Sequence, residues 1–275
     1  MVAAEEVTAW HPEVPGIAEV FHAHFVQHRY PMHAHATWTL LIVDDGAVRY
    51  DLDRHERGAP SDRVSLLPPQ VPHNGRAATA LGFRKRVLYL EPEALGADLI
   101  GAAVDTPTLD DPLLRRRVHR LHHALRFPGE ELEAESRLAL ICGRLRGHLL
   151  RRTGPEPTPP RDRGVAHRLR ELIDARVVEG VSLEQAAAEL YAGPAHLVRA
   201  FTREFGMAPH QYLTSRRVDL ARALLLDGLP AGSVSTEAGF YDQSHLTRHF
   251  RRIVGVSPGR FARRSPLPAR SHDVR

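Results

Sequence analysis

The spacing of apolar and polar positions divides the chain into two regimes. From Ala18 to Glu91 the short period dominates. Trp38–Val43 is a mostly apolar run closed by Asp44-Asp45-Gly46, a turn signal of the hairpin type. Val48, Tyr50 and Leu52 then alternate with charged residues, as a half-buried strand requires. Val64–Leu67 is a further short run stopped by Pro68-Pro69, and Phe83–Leu90 interleaves Arg84, Lys85 and Arg86 with Phe83, Val87 and Tyr89. Several short strands separated by turns predict a small β-barrel or jelly roll.

After Pro92 the period lengthens. Leu114, Val118, Leu121 and Leu125 fall at helical spacing, Phe127-Pro128-Gly129 breaks the run, and Leu138, Ile141, Leu145 and Leu149 form a second stripe. The pair predicts an antiparallel helical hairpin, packed on the β domain or serving as a dimer interface. Cys142 lies in that stripe as a small core residue. Thr153–Gly164 holds four prolines and reads as a semi-rigid linker. Beyond it every segment is helical, with a capping-box pattern at Ser182-x-x-Gln185, a break at Gly206, and a longer helix from Pro209 to about Leu226.

The helical half repeats itself. Residues 196–209 (HLVRAFTREFGMAP) match residues 245–258 (HLTRHFRRIVGVSP) at seven of fourteen positions, 49 residues apart. One supersecondary unit is therefore used twice. In each copy a leucine and a phenylalanine four apart face one way, an arginine faces another, and glycine then proline end the helix. A short helix, a tight turn and a second short helix form the helix-turn-helix arrangement, whose second member enters the major groove.

Charge agrees with that division. Residues 1–160 carry 19 basic and 21 acidic side chains, whereas residues 161–275 carry 18 basic and 12 acidic, a net +6. A basic C-terminal half beside a near-neutral N-terminal half points to a polyanion partner for the former. Cys142 is the only cysteine, so no intramolecular disulfide forms, and Met1–Trp10 lacks the basic and apolar regions of a signal peptide. A soluble cytoplasmic protein, with no membrane partner, is expected. Asp242 is a candidate N-cap that leaves Gln243, Ser244, Thr247 and Arg248 free to hydrogen-bond base edges. The first copy offers Ala195, Val198 and Arg199, one guanidinium with apolar contacts suited to thymine methyls.

Residues 165–264 resemble the DNA-binding domain of the AraC-type transcription factors. The carrying residues run from Leu183 and Ala187 through Leu197-x-Arg199-x-Phe201, Gly206-Met207-x-Pro209 and Tyr212-Leu213. They continue through Arg217, Ala221, Leu224-Leu225, Gly239-Phe240, Leu246-x-Arg248-x-Phe250, Gly255-x-Ser257-Pro258 and Phe261. The resemblance implies double-stranded DNA as partner, with Ala195, Val198, Arg199, Gln243, Ser244, Thr247 and Arg248 as base-contacting positions. It also implies activation more often than repression, with RNA polymerase as a further partner. Gly193 stands where the family usually has serine, and Val234-Ser235 where Ile-Ala is common.

His33-Ala34-His35 and His73 form the second constellation. Alternate strand residues share a face, and a third imidazole from a neighbouring strand could complete a metal site. Residues 33–46 and 68–73 resemble the two cupin motifs, and AraC-type regulators commonly carry a cupin-like sensor here. Thr39 replaces the glutamate ligand of a metal-binding cupin, and Gln27, Asp62 and Gln70 replace motif glycines. His33, His35, Thr39 and His73 are accordingly read as effector-binding, and no cofactor is assigned. A metal on His33, His35 and His73 stays open. His22, His24 and His28 precede them on a strand. No catalytic triad, phosphate loop or paired-carboxylate signature stands out, so no enzyme is expected.

The expected architecture is α+β: a cupin-like β-barrel with a helical hairpin, then an all-α domain with two helix-turn-helix motifs. The boundaries are an effector-sensing domain at 1–95, a coupling or dimerising hairpin at 96–152, a linker at 153–164, the DNA-binding domain at 165–264 and a tail at 265–275. A small-molecule-responsive DNA-binding regulator is the leading function. Its rivals are a cupin metalloenzyme with an appended DNA-binding domain and a constitutive DNA-binding protein with a degenerate sensor.

Overall fold

A computed structural model describes residues 5–53, 55–150 and 162–264. The proline-rich segment up to residue 161 and the tail from Ser265 lie outside the described residues. The chain separates into two compact units, Met1–Arg126 with Arg137–Thr158, and Phe127–Ser136 with Pro159–Arg275.

The first unit carries β1 (Glu6–Trp10), β2 (Ile17–Phe25), β3 (Arg29–His33), β4 (Trp38–Gly46), β5 (Val48–Leu52), β6 (His55–Ala59), β7 (Val64–Leu67), β8 (His73–Ala77) and β9 (Phe83–Leu90). Helix α1 (Ile100–Asp105), β10 (Thr108–Leu109) and α2 (Pro112–Ala124) follow. Two antiparallel sheets face each other, ordered β1-β2-β9-β4-β7-β10 and β3-β8-β5-β6. Between them pack Val48, Tyr50 and Leu52 of one sheet and Leu41, Val43, Phe83 and Val87 of the other. This is the expected cupin-like sandwich of short strands.

One turn differs from expectation. Asp44-Asp45-Gly46 does not close a hairpin, because β4 runs through to Gly46 and β5 pairs in the other sheet. A bulge between Val43 and Asp45 takes up the acidic pair, and the chain crosses between sheets at Gly46. Gly46 has a φ of 74°, and a Cβ there would lie 2.2 Å from the Gly82 carbonyl oxygen. Only glycine permits that corner.

Helix α2 lies across the outer face of the six-stranded sheet. Arg115 donates to the Val43 carbonyl at 2.8 Å, and the rings of His22 and His122 meet with nitrogens 3.2 Å apart. Helix α3 (Glu131–Leu149) supplies the second stripe of the hairpin. Asp111 ties the two together. It caps α2 by accepting from the Leu113 and Leu114 N–H groups, and it pairs with Arg144 and His148 of α3. Burial raises the Asp111 pKa, but Arg144, the Leu114 N–H and His148 outweigh it and hold the group at about 2.

The second unit holds α4 (Arg163–Ala175), α5 (Leu183–Leu190), α6 (Pro194–Phe205), α7 (Pro209–Leu226), α8 (Ala231–Glu237), α9 (Gln243–Val254) and α10 (Pro258–Arg264). The reciprocal capping box of Ser182 and Gln185 opens α5. Gly206 and Gly255 end α6 and α9 in left-handed conformations, with φ 70° and 85°. Leu197 and Phe201 of α6, and Leu246 and Phe250 of α9, are fully buried. The duplicated motif therefore folds twice on the same scaffold residues. Asp162, Arg163 and Gly164 belong to the cap and first turn of α4, three residues that composition had placed in the linker.

Candidate functional site: the reading helices and the barrel cavity

Helices α6 and α9 flank the 18-residue α7, about 27 Å long at the helical rise. The cap of α9 is as expected: Asp242 accepts the His245 N–H at 2.6 Å. Gln243 and Ser244 are exposed beyond it, and Thr247 and Arg248 are half-buried. On α6, Gly193 offers no capping side chain, and Ala195 and Arg199 are half-buried. Val198 departs from its expected place on the free face, since it is 3% exposed. Helix α6 packs against both α4 and α5, so its apolar stripe is wider than the Leu197–Phe201 seam and takes in Val198. The departures at Val234-Ser235 are accommodated. Val234 is fully buried, and the Ser235 hydroxyl donates to the Gly232 carbonyl at 2.7 Å.

The Arg248 guanidinium is already engaged by the protein. Within the second unit the segment Phe127–Ser136 packs on the helices. The Glu130 carboxylate accepts from Arg248 at 2.7 Å and sits 2.7 Å from His249 Nε2. The Arg248 guanidinium lies 4.5 Å from the centroid of the Phe127 ring, a cation–π contact. Burial pushes the Glu130 pKa up, but His249, His245 and Arg248 pull it down to about 2, so the carboxylate is charged at neutral pH. Burial and the neighbouring His249 hold His245 neutral, with its pKa near 4. Gly129, at φ 86°, fits because a Cβ there would lie 2.2 Å from His245 Nδ1. Sequence spacing gave no sign of this arrangement, because Glu130 and Arg248 lie 118 residues apart.

In the first unit a cavity of about 340 Å³ opens between the two sheets. All four expected effector residues line it: His33, His35, Thr39 and His73. The ring of His33 is 4.8 Å from that of His35 and 4.6 Å from that of His73. One nitrogen from each imidazole lies within 4.8 Å of the others. Two orientations are fixed by backbone carbonyls, with His33 Nδ1 2.7 Å from the Pro31 oxygen and His73 Nδ1 3.0 Å from the Val71 oxygen. A carbonyl only accepts, so both Nδ1 atoms carry the proton and both Nε2 lone pairs are left available. Burial lowers the pKa of His35 to about 4, and that of His73 also falls. The donor set therefore fits a divalent transition metal held by three imidazoles. Thr39 is 4% exposed and its hydroxyl has no partner among the described residues, so no carboxylate completes the set. Gln70, where the motif has glycine, keeps the left-handed conformation at φ 60° and donates to the His35 carbonyl at 2.7 Å.

Tyr30, Lys85 and Tyr89 are among the cavity residues that the sequence did not assign to the site. Parity along β9 is the signal that finds two of them. Phe83, Lys85, Val87 and Tyr89 alternate, and Phe83 and Val87 belong to the intersheet core. His22, His24 and His28 do not line the cavity.

Known proteins resemble both units. A family model described as an AraC-like ligand binding domain matches residues 16–142, and a helix-turn-helix domain model matches residues 186–264. The probable transcriptional regulator LumQ of Photobacterium leiognathi is 29% identical over 32% of this chain and 36% of its own length. The virulence regulon transcriptional activator VirF of Yersinia enterocolitica is 28% identical over 54% of this chain and 55% of its own. The chain thus spans about a third to a half of the length of these relatives. The arabinose operon regulatory protein of Escherichia coli matches over 91% of this chain and 92% of its own length at 24% identity. Two family models in the expected order, each on the unit whose architecture it describes, place this chain in the AraC-type family of transcriptional regulators.

Proposed function

We propose that the chain is a sequence-specific DNA-binding transcription regulator, more often activating than repressing, whose barrel cavity receives a small-molecule effector. The carrying observation is the pair of matched helices with unlike faces, α6 and α9, each ending at a left-handed glycine. Gln243, Ser244 and Arg248 would read base edges from α9, and Arg199 with Ala195 would contribute from α6. Val198 would act by supporting α6 from within. Arg248 must exchange Glu130 for DNA, so DNA and Glu130 compete for one guanidinium. An effector acts only through a difference in its affinity for the competing states. Activation would bring RNA polymerase in as a further partner. Homodimerisation and a cytoplasmic location fit this reading, and among the described residues no helix is long and apolar enough to cross a membrane.

Selection of bound sites from random DNA by the full chain tests this reading. An enriched site should emerge, and Arg248→Ala should relax preference at one base position at a cost of about 1–3 kcal/mol. Equal weakening on every sequence would make Arg248 a phosphate contact. Failure to enrich any site would remove the reading.

The imidazole geometry supports a second reading for the cavity, as a metal centre. His33, His35 and His73 would hold the ion through their Nε2 atoms, and the ion would supply a Lewis-acidic position for an oxygen ligand. Stoichiometric transition metal in the purified protein, lost in His35→Ala, would support it and would reopen the rival metalloenzyme. Metal-free protein with unchanged stability on zinc addition would leave the three imidazoles as effector contacts.

A further inference from the structure

We propose that the barrel cavity is built for a small organic monocarboxylate, its carboxylate taken by Lys85 and Tyr30 and its apolar body by the cavity's aromatic and aliphatic walls. The proposal rests on the effector-sensing reading of this domain and names the chemical class of the effector.

Three observations carry it. Lys85 is the only lysine in a chain that otherwise uses arginine for its fixed positive charge. It sits at an inward position of β9, opposite Ala23 of β2 and Val43 of β4. Its ammonium lies 4.2 Å from the Tyr30 ring centroid, 5.6 Å from that of Phe21 and 6.0 Å from that of Phe83. Aromatic faces offset part of the cost of enclosing that charge, but among the described residues no carboxylate pairs with it. Burial alone lowers its pKa to about 8. Glu19 also lines the cavity and stands against Tyr89, whose hydroxyl burial and Glu19 push up to about 12. A guanidinium at position 85 would bring five donors into a site with few acceptors, whereas an ammonium suits a compact cage.

The Tyr30 hydroxyl is the second observation. It is buried with no hydrogen-bond partner among the described residues, as is the Thr39 hydroxyl on the opposite sheet. Unpaired hydroxyls in a native cavity call for an occupant that can accept from them. Charge balance is the third. Among the described residues Lys85 is the one Lys or Arg on the cavity wall, and its single charge matches a monoanion rather than a doubly charged phosphate. Leu41, Val48, Leu67, Phe21 and Tyr89 supply the apolar remainder of the wall. A volume of about 340 Å³ admits one small molecule.

The single lysine makes the test direct. Reductive ¹³C-methylation of the full-length protein keeps the positive charge and labels one side-chain amine, alongside the chain's α-amino group. Phenylacetate and hexanoate are titrated against their neutral amides, phenylacetamide and hexanamide, on untreated and chelator-treated protein. The acids should shift the Lys85 resonance and bind at least about tenfold more tightly than the amides. Lys85→Met, which keeps the apolar stem, should lower acid affinity by at least about tenfold while the melting temperature holds. Three results would overturn the proposal: acids and amides binding alike, no acid moving the Lys85 resonance, or binding abolished by chelation yet intact in Lys85→Met. DNA affinity measured in the same samples separates this proposal from the sensor reading. Acid binding at Lys85 without effect on DNA removes the sensor role and keeps the site. A neutral compound that changes DNA affinity without touching Lys85 keeps the sensor role and removes the carboxylate.

Discussion

Glu130 and Arg248 show how much a single pair can decide. The guanidinium that the repeat assigns to base reading is engaged twice, by a carboxylate at 2.7 Å and by the Phe127 ring at 4.5 Å. Glu130 is nearly buried, and its pKa near 2 keeps it charged throughout the physiological range, so the pair does not release by protonation of Glu130. Replacing Glu130 by Gln keeps the shape and removes the charge. Because Arg248 is 37% exposed, the pair is worth on the order of 1 kcal/mol rather than the value of a fully desolvated one. Glu130→Gln should therefore raise affinity for the selected DNA site by about threefold to tenfold in a titration at fixed salt. Unchanged or weaker binding would mean that Glu130 orients Arg248 for DNA instead of competing with it.

At the scale of elements, α6 and α9 have the same core and different caps. Asp242 accepts the His245 N–H, whereas Gly193 offers α6 nothing. Asp242→Ala should cost about 1 kcal/mol in denaturant unfolding, and Gly193→Ser should recover only about a few tenths of a kcal/mol at the other copy. A null result for Gly193→Ser would show that the α6 N-terminus is satisfied elsewhere. These helices were legible because their signals are local. Leucine–phenylalanine spacing, a capping aspartate and a terminal glycine each act within a turn or two. The strands were legible where one face alternates and is buried, as in β5, but β1 (EVTAW) leaves Val7 and Ala9 exposed and forms by pairing with β2. Val198 was misplaced because its burial depends on α4 and α5, which its own helix does not encode. The histidine triad was legible from spacing. Lys85 was not, because a lysine between two arginines on a strand suggests a solvated edge until the two faces of β9 are known to be both covered.

Over the whole molecule the repeat and the charge distribution make one joint demand on the DNA. Residues 161–275 carry a net +6, spread over a scaffold in which both copies share leucine, arginine, phenylalanine, glycine and proline. Phosphate contacts should therefore be similar at the two copies, while base contacts should not. Helix α9 exposes Gln243 and Ser244 beside Arg248, and α6 offers Ala195 and Arg199 with Val198 turned inward. The two contributions separate by salt. Counterion release makes log K fall by about 0.9 per tenfold rise in salt for each phosphate neutralised, whatever the sequence. The full chain should thus show a steep salt dependence with nearly equal slopes on its selected site and on random duplex. Base changes in the half facing α9 should cost about 1–3 kcal/mol each at constant slope, and changes in the half facing α6 should cost less. A flat salt profile would exclude the proposed phosphate contacts. Equal sensitivity in both half-sites would mean that two chains bind a symmetric operator, each through the same copy, and the asymmetry of the repeat would then lie outside recognition.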